Sequence, residues 1–245
     1  MHSTSNETGV LVRTPTKAPV HFLHVRKTGG TAVIEALRPV ADQYGIVLHG
    51  HATRLVDIPR DQFVFFFLRH PVPRFVSGFY SRLRRGLPRH YYEWSTAETE
   101  AFEYFRTPNE LAESLSSSDS ELTMRAHRAM LAIRHVKNTY EDWFCGTNEL
   151  EDRFDSILYV GLQETLKSDF DRLKTLLGLP CSVLLPSDST LAHRTPTHFD
   201  RRLSPLAERN LSCWYKGDIE FYNYGVQVRS RIRTRLGATL RTDAS

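Results

Sequence analysis

Phe22-Leu23-His24-Val25-Arg26-Lys27-Thr28-Gly29-Gly30-Thr31-Ala32-Val33-Ile34 opens on apolar residues, turns at Lys-Thr-Gly-Gly-Thr and continues as a helix. A strand, a glycine turn and a helix N-terminus together make a phosphate cradle. Glycine lets the backbone approach an anion closely, and the free N–H groups and dipole of a first helical turn favour negative charge. Lys27 adds a mobile cation. The stretch therefore predicts a phosphorylated ligand near residues 27–32. It is not the ATP-type phosphate loop, in which the glycines precede the lysine. Taken alone it also reads as an ordinary strand–turn–helix corner.

Outward from this turn, residues 20–25 form a buried first strand and 31–39 a helix with Val33, Ile34 and Leu37 on its inner face. Residues 44–48 make a short strand that ends at His49-Gly50-His51, and 53–58 a short helix. Phe63-Val64-Phe65-Phe66-Phe67-Leu68 is a continuous apolar run, as expected of a central parallel strand covered on both faces. It ends at Arg69, and Pro71 starts a helix reaching residue 85, since proline fits a first helical turn. Helices follow over 99–117 and 120–137, the second capped by Asp119 or Ser120. A strand at 157–161, a helix at 164–177 closed by Gly178, a loop at 181–204 and a helix around 205–215 complete the pattern. Strands alternating with helices predict a three-layer α/β fold with a central parallel sheet, and ligands in such sheets bind beyond the carboxyl ends of the strands. Thr28, His51, Arg69 and Gly161 all fall at that rim. The organisation expected is a flexible tail at 1–18, a domain at 19–228 with a helical insertion at 90–150, and a basic, fraying tail at 229–245.

The 245 residues, 40% hydrophobic and 11% aromatic, suffice for one such domain with a sizeable core. The formal net charge of +4, with Arg outnumbering Lys, suits anionic ligands but is too small to argue for nucleic acid. No apolar run is long enough to span a membrane, and the first twenty residues lack the apolar core of a signal peptide. Cys145, Cys181 and Cys213 are odd in number and widely spaced, which predicts reduced thiols and a cytoplasmic location rather than disulfides or a zinc site. No metal is expected.

A second constellation is Arg69-His70-Pro71-Val72-Pro73-Arg74-Phe75-Val76-Ser77-Gly78-Phe79-Tyr80. An arginine leaving a buried strand and a hydroxyl two turns into the next helix are good phosphate chemistry, because guanidinium forks onto phosphate oxygens. They also read as a capped sheet end and a small packing residue. Together the two stretches resemble the sulfotransferases that use 3′-phosphoadenosine 5′-phosphosulfate (PAPS). Lys27 to Ala32 is similar to that family's 5′-phosphosulfate loop, Pro-Lys-Thr-Gly-Gly-Thr-Ser. Arg69 to Tyr80 is similar to its 3′-phosphate motif, with Tyr80 one residue displaced. Arg26 stands where the family usually has Pro, and His70 where it has Asp. The resemblance implies a P-loop-like fold, PAPS as donor and adenosine 3′,5′-bisphosphate (PAP) as product. It implies donor contacts from His24, Lys27, Thr28, Gly29, Gly30, Thr31 and Ala32 at one end and Arg69 and Ser77 at the other. Arg194 and Thr195, in Leu191-Ala192-His193-Arg194-Thr195-Pro196-Thr197, resemble the late loop that closes over the nucleotide.

His49-Gly50-His51 also reads as a surface turn, and a histidine there can serve as a general base. The stretch resembles the His-Gly-His of uronyl 2-O-sulfotransferases acting on heparan sulfate, which implies His51 as catalytic base, His49 as its helper and Lys27 at the bond that breaks. Arg82, Arg85, Arg89 and Tyr91 mix cations with aromatic faces, suiting a carbohydrate or other hydroxyl-bearing, anionic acceptor; a solvated helix end has the same composition. The insertion is the expected acceptor wall. Two other classes stay open: a phosphoryl-transferring enzyme with an atypical phosphate loop, and a non-catalytic PAP- or glycan-binding module. A bacterial-type cytoplasmic enzyme and a trimmed piece of an anchored one both fit.

Overall fold

In the computed structural model, which describes residues 18–242, the Phe63–Leu68 run is strand β3 of a four-stranded parallel sheet. The other strands are β1 (Val20–Leu23), β2 (Ile46–Leu48) and β4 (Ile157–Leu162), in the order β2-β1-β3-β4. The expected tail lies, apart from Ala18, outside the described residues. The period of two along β3 splits its side chains between two cores. Val64, Phe66 and Leu68 pack on one face with Tyr140, Trp143 and Phe221, and Phe65 and Phe67 on the other with Val33, Leu37 and Phe170. That makes three layers, with β3 fully buried from Val64 to Leu68.

Helices α1 (Gly30–Leu37) and α8 (Leu166–Leu176) cover one face, and the C-terminal helix α10 (Lys216–Thr242) covers the other. Gly161, expected at the rim, lies inside β4 opposite Phe67. A Cβ there would stand 2.2 Å from the Phe67 ring, so only glycine lets that ring cross the strand.

Helix α2 (Pro71–Leu83) starts directly below β3. His70 does the capping work of the Asp it replaces, its Nδ1 accepting from Val72 N–H at 3.4 Å. The insertion forms α3 (Thr96–Tyr104), α4 (Pro108–Ser114), α5 (Ser120–Ala132), α6 (Glu141–Phe144) and α7 (Thr147–Asp152). The expected single helix over 99–117 is two, because Thr107-Pro108 restarts it with a capping box to Glu110. Asp119 caps α5 as expected. Helices α2 to α5 and α9 (Pro205–Trp214) share a third core around Phe75, Phe79, Phe102 and Met130.

Residues 229–235, expected to begin a fraying tail, are anchored within α10. Asp169, fully buried in α8, accepts from the Tyr159 hydroxyl (2.8 Å), Leu162 N–H (2.9 Å), Thr165 hydroxyl (2.7 Å), Arg229 (2.7 Å) and Arg233 (2.9 Å). Arg235 donates to the Ile157 carbonyl at 2.8 Å. The basic run is thus the strap that ties α10 across β4, which composition alone did not reveal. Removing one partner of a buried charge network leaves the others desolvated and unpaired, so Asp169→Ala should lose about 3–5 kcal/mol of unfolding free energy. Urea denaturation of both proteins measures it, and a loss below about 1 kcal/mol would mean that the arginines re-solvate freely.

Candidate functional site

A cleft of about 870 Å³ opens where β1 and β3 end, between the turn after β1, the start of α2, residues 134–135 and the loop at 185–201. His24, Lys27, Gly29, Gly30, Thr31 and Ala32 line it from the turn, Arg69 and Ser77 from β3 and α2, and Arg194 and Thr195 from the loop. His51 completes that set.

The turn is held in a backbone conformation that side chains resist. Lys27 has φ +65° and Gly29 φ +88°. A non-glycine residue on that side of φ is strained. The surroundings enforce it: the Thr28 hydroxyl donates to the Val25 carbonyl at 3.0 Å, and Arg69 Nη1 to the Lys27 carbonyl at 3.4 Å. Thr28 is therefore buried under the turn, and its side chain does not line the cleft. A Cβ on Gly30 would meet the His24 ring at 2.2 Å, so glycine here makes room for an imidazole. The N–H groups of Gly30 and Thr31 open α1 with no side-chain cap. They are free for an anion.

Among the described residues Lys27, Arg69 and Arg84 form no ion pair with a carboxylate. Lys27 is pushed down to about 7, first by burial and then by Arg84, Arg69 and Arg26. Burial lowers Arg69 to about 10, and its Nε atom is buried without a hydrogen-bond partner. Arg84 has two such atoms, Nε and Nη2, while its Nη1 donates to the Arg194 carbonyl at 3.1 Å. Each orphaned buried donor costs about 1–3 kcal/mol. A ligand that brings oxyanions to both Lys27 and Arg69 recovers that cost, which fits a molecule phosphorylated at two ends. Tyr140 fixes the Arg69 backbone from both sides, its hydroxyl accepting from Arg69 N–H (2.9 Å) and donating to Arg69 C=O (2.5 Å).

The two histidines of His49-Gly50-His51 part company, because the chain leaves β2 at Leu48 and turns at residue 51. His49 does not reach the cleft. Its Nε2 pairs with His21 Nδ1 at 2.8 Å, and His21 Nε2 with Gln62 at 2.5 Å. His51 lies in the cleft, its Nδ1 at 3.1 Å from the His24 carbonyl and its ring 3.8 Å from that of His24. A carbonyl only accepts, so Nδ1 carries the proton and Nε2 keeps a lone pair. His51 is held at about 4 by burial first and then by Arg26, with the bond to His24 opposing.

The expected acceptor contacts are mostly spent elsewhere. Arg82 is buried and forks onto Glu98 at 2.6 and 2.7 Å, with two further bonds to the Tyr92 and Glu93 carbonyls. Arg85 stacks on Trp94 at 4.3 Å and donates to the Tyr91 hydroxyl at 3.0 Å. Arg89 pairs with Glu35 at 2.7 Å. Of these four only Arg82 lines the cleft, and its guanidinium is occupied. In their place the structure brings Arg26, Tyr92, Arg134, His135 and His193 to the cleft. The sequence offers no motif for Arg134 and His135, which lie just past α5. Arg26 was visible only as a departure from Pro.

Residues 12–225 match the sulfotransferase family. The chain belongs to that family. No curated protein matches the chain. Sulfotransferases move a sulfuryl group to an acceptor, generally from PAPS with release of PAP. Among the described residues no helix is long and apolar enough to cross a membrane, and Cys145, Cys181 and Cys213 are exposed free thiols.

Lys27, at about 7 in the free cleft, regains its full charge beside an anion. Binding of a phosphate anion then takes up a proton, so its affinity is highest near pH 7 and falls as pH rises through 8 and 9, by up to about tenfold per unit. Titration calorimetry in buffers of different ionisation enthalpy reads both the slope and the proton. A flat affinity from pH 7 to 9, or the same slope in Lys27→Met, would remove Lys27 from the anion site.

Proposed function

We propose that the protein transfers the sulfuryl group of PAPS to a carbohydrate hydroxyl by in-line displacement, with His51 as general base. The observation that carries this is the tautomer imposed on His51 by the His24 carbonyl, at the edge of a cleft of unpaired cations. The lone pair on Nε2 takes the acceptor proton. The acceptor oxygen forms its bond to sulfur as the bond from sulfur to the bridging phosphate oxygen breaks, and PAP leaves with the electron pair. Lys27 and the N–H groups of Gly30 and Thr31 stabilise the charge growing on that leaving phosphate. Arg69 and Ser77 hold the 3′-phosphate, with Thr195 and the backbone around Arg194 closing the nucleotide end. This second anchor gives a preference for PAPS over ATP. A cation-lined cleft with the exposed Tyr92 ring on its wall suits a sugar better than an apolar phenol or sterol.

Calorimetry with PAP and with ATP tests the donor: PAP should bind more tightly, and tighter ATP binding would overturn the assignment. Transfer from labelled PAPS over a panel of glycans, phenols and lipids tests the acceptor. His51→Ala should bind PAP like the parent and lose about 10²-fold or more in turnover. Unchanged turnover in that variant would place the base on another residue.

A further inference from the structure

Tyr140 and Trp143 do not line the cleft, yet each holds the backbone of a residue on which the proposed transfer depends. They stand three apart, Tyr140 at the N-cap of α6 and Trp143 within it. That spacing puts both rings on one face of the turn, in the core that Phe66 and Leu68 of β3 share. The Tyr140 hydroxyl closes on residue 69, accepting from its N–H and donating to its C=O. Burial holds the Tyr140 phenol above its ordinary value, so it keeps the proton that it donates. Trp143 Nε1 donates to the His51 carbonyl at 3.0 Å. One turn of helix thus grips the end of β3 with one ring and the turn at residue 51 with the other.

A helix of four residues does not hold itself, and α6 is fixed from outside. At its start Asp142 accepts from Asn138 Nδ2 (2.8 Å) and Thr139 N–H (3.0 Å). Tyr140 N–H donates to Asp218 of α10 at 2.8 Å, and Asp218 pairs with Arg74 of α2 in the interior. The Arg74 guanidinium lies 4.6 Å over the Tyr140 ring and donates to the Asn138 carbonyl at 2.9 Å. On its other side the Tyr140 ring stacks on Phe221 of α10, with centroids 5.1 Å apart. Three helices are therefore locked together at the point from which Arg69 and His51 are both held.

We propose that Tyr140 and Trp143 are paired positioning residues: from one turn of α6, Tyr140 aims Arg69 at the 3′-phosphate, and Trp143 fixes the turn that gives His51 its tautomer. Arg74 and Asp218 hold Tyr140 in place. The inference rests on the sulfotransferase reading above, in which Arg69 anchors the donor and His51 is the base.

Two readouts that need no acceptor test it. Calorimetry with PAP and with adenosine 5′-phosphate, which lacks the 3′-phosphate, gives a ratio of affinities. Proton–nitrogen correlation NMR of the histidine rings gives the tautomer of His51, whose signals are identified by their absence from His51→Ala. Tyr140→Phe should lower the ratio by about tenfold, through weaker PAP binding alone, and leave the tautomer as in the parent. Trp143→Phe should do the reverse, keeping the ratio while His51 moves from the Nδ1–H form toward the Nε2–H form. A merely structural role would lower the unfolding midpoint and move neither readout. Should either variant fail to fold, benzothienylalanine at residue 143 keeps the fused ring without its N–H, and Asp218→Asn loosens Tyr140 without touching its hydroxyl. A parent-like ratio when Tyr140 is altered, or a parent-like tautomer when Trp143 is altered, overturns the pairing. So does movement of both readouts together in each variant, which is general loosening of the site. A parent protein that binds PAP no more tightly than adenosine 5′-phosphate, or whose His51 is not in the Nδ1–H form, overturns the sulfotransferase reading itself, and so is told apart from failure of the pairing.

Discussion

Cations held near one another and, among the described residues, outside any ion pair are the constraint around which this molecule is arranged. Lys27, Arg69 and Arg84 crowd the turn after β1, and Arg26 and Arg134 line the same cleft as His51. The buried carboxylates are all committed elsewhere. Glu98 holds Arg82, Asp169 holds Arg229 and Arg233, and Asp218 holds Arg74 in a buried pair that also receives Tyr140 N–H. Each of those pairs fastens one wall: the insertion, the C-terminal helix, and the joint between α2 and residue 140. A carboxylate placed in the cleft would quench the field that attracts the donor. Keeping acids in the scaffold and unpaired bases in the site sacrifices stability locally and leaves the ligand to recover it.

What could be read from the sequence follows from how local each signal is. The buried strand 63–68, the glycine turn and the strand-end Arg69 are short-range patterns, and each stands where the pattern places it. Asp119 as a cap is likewise local. The basic stretch at 82–91 misleads because an arginine's partner decides its role, and the partners lie far along the chain: Glu98 for Arg82, Glu35 for Arg89. The tail at 229–245 misleads the same way, since Asp169 is about sixty residues distant. His49 and His51 look equivalent as letters. A turn at residue 51 sends one ring to His21 and the other to the cleft. Arg134 and His135 are delivered by Gly78 in α2 and Glu98 in α3, a three-body arrangement with no linear trace.

The strain in the site has an identifiable support. Lys27 and His193 both occupy left-handed backbone, and both line the cleft. Lys27 is over-determined by Thr28, Arg69 and the His24 ring packed on Gly30. His193 is tied by Ser81 at 3.3 Å, and burial followed by the Lys27 charge lowers it to about 3. Backbone held in unfavourable conformations by packing is a rigid backbone. That rigidity keeps the first-turn N–H groups of α1 aimed before any ligand arrives, which is what makes them effective against charge that develops during reaction.

The same field also sets the strength of the base. In the free cleft His51 sits at about 4, lowered by burial and then chiefly by Arg26. Its ring is neutral and aimed, yet a feeble proton acceptor. A donor with negative charge against Lys27 and Arg69 cancels part of that field. Each pKa unit regained is worth about 1.4 kcal/mol of proton affinity. On the proposed chemistry, basicity at His51 therefore arrives with the donor. The cleft is a weak base while empty and a stronger one when an anionic donor is in place, and this coupling comes from Coulomb's law acting on fixed charges without requiring any segment to move.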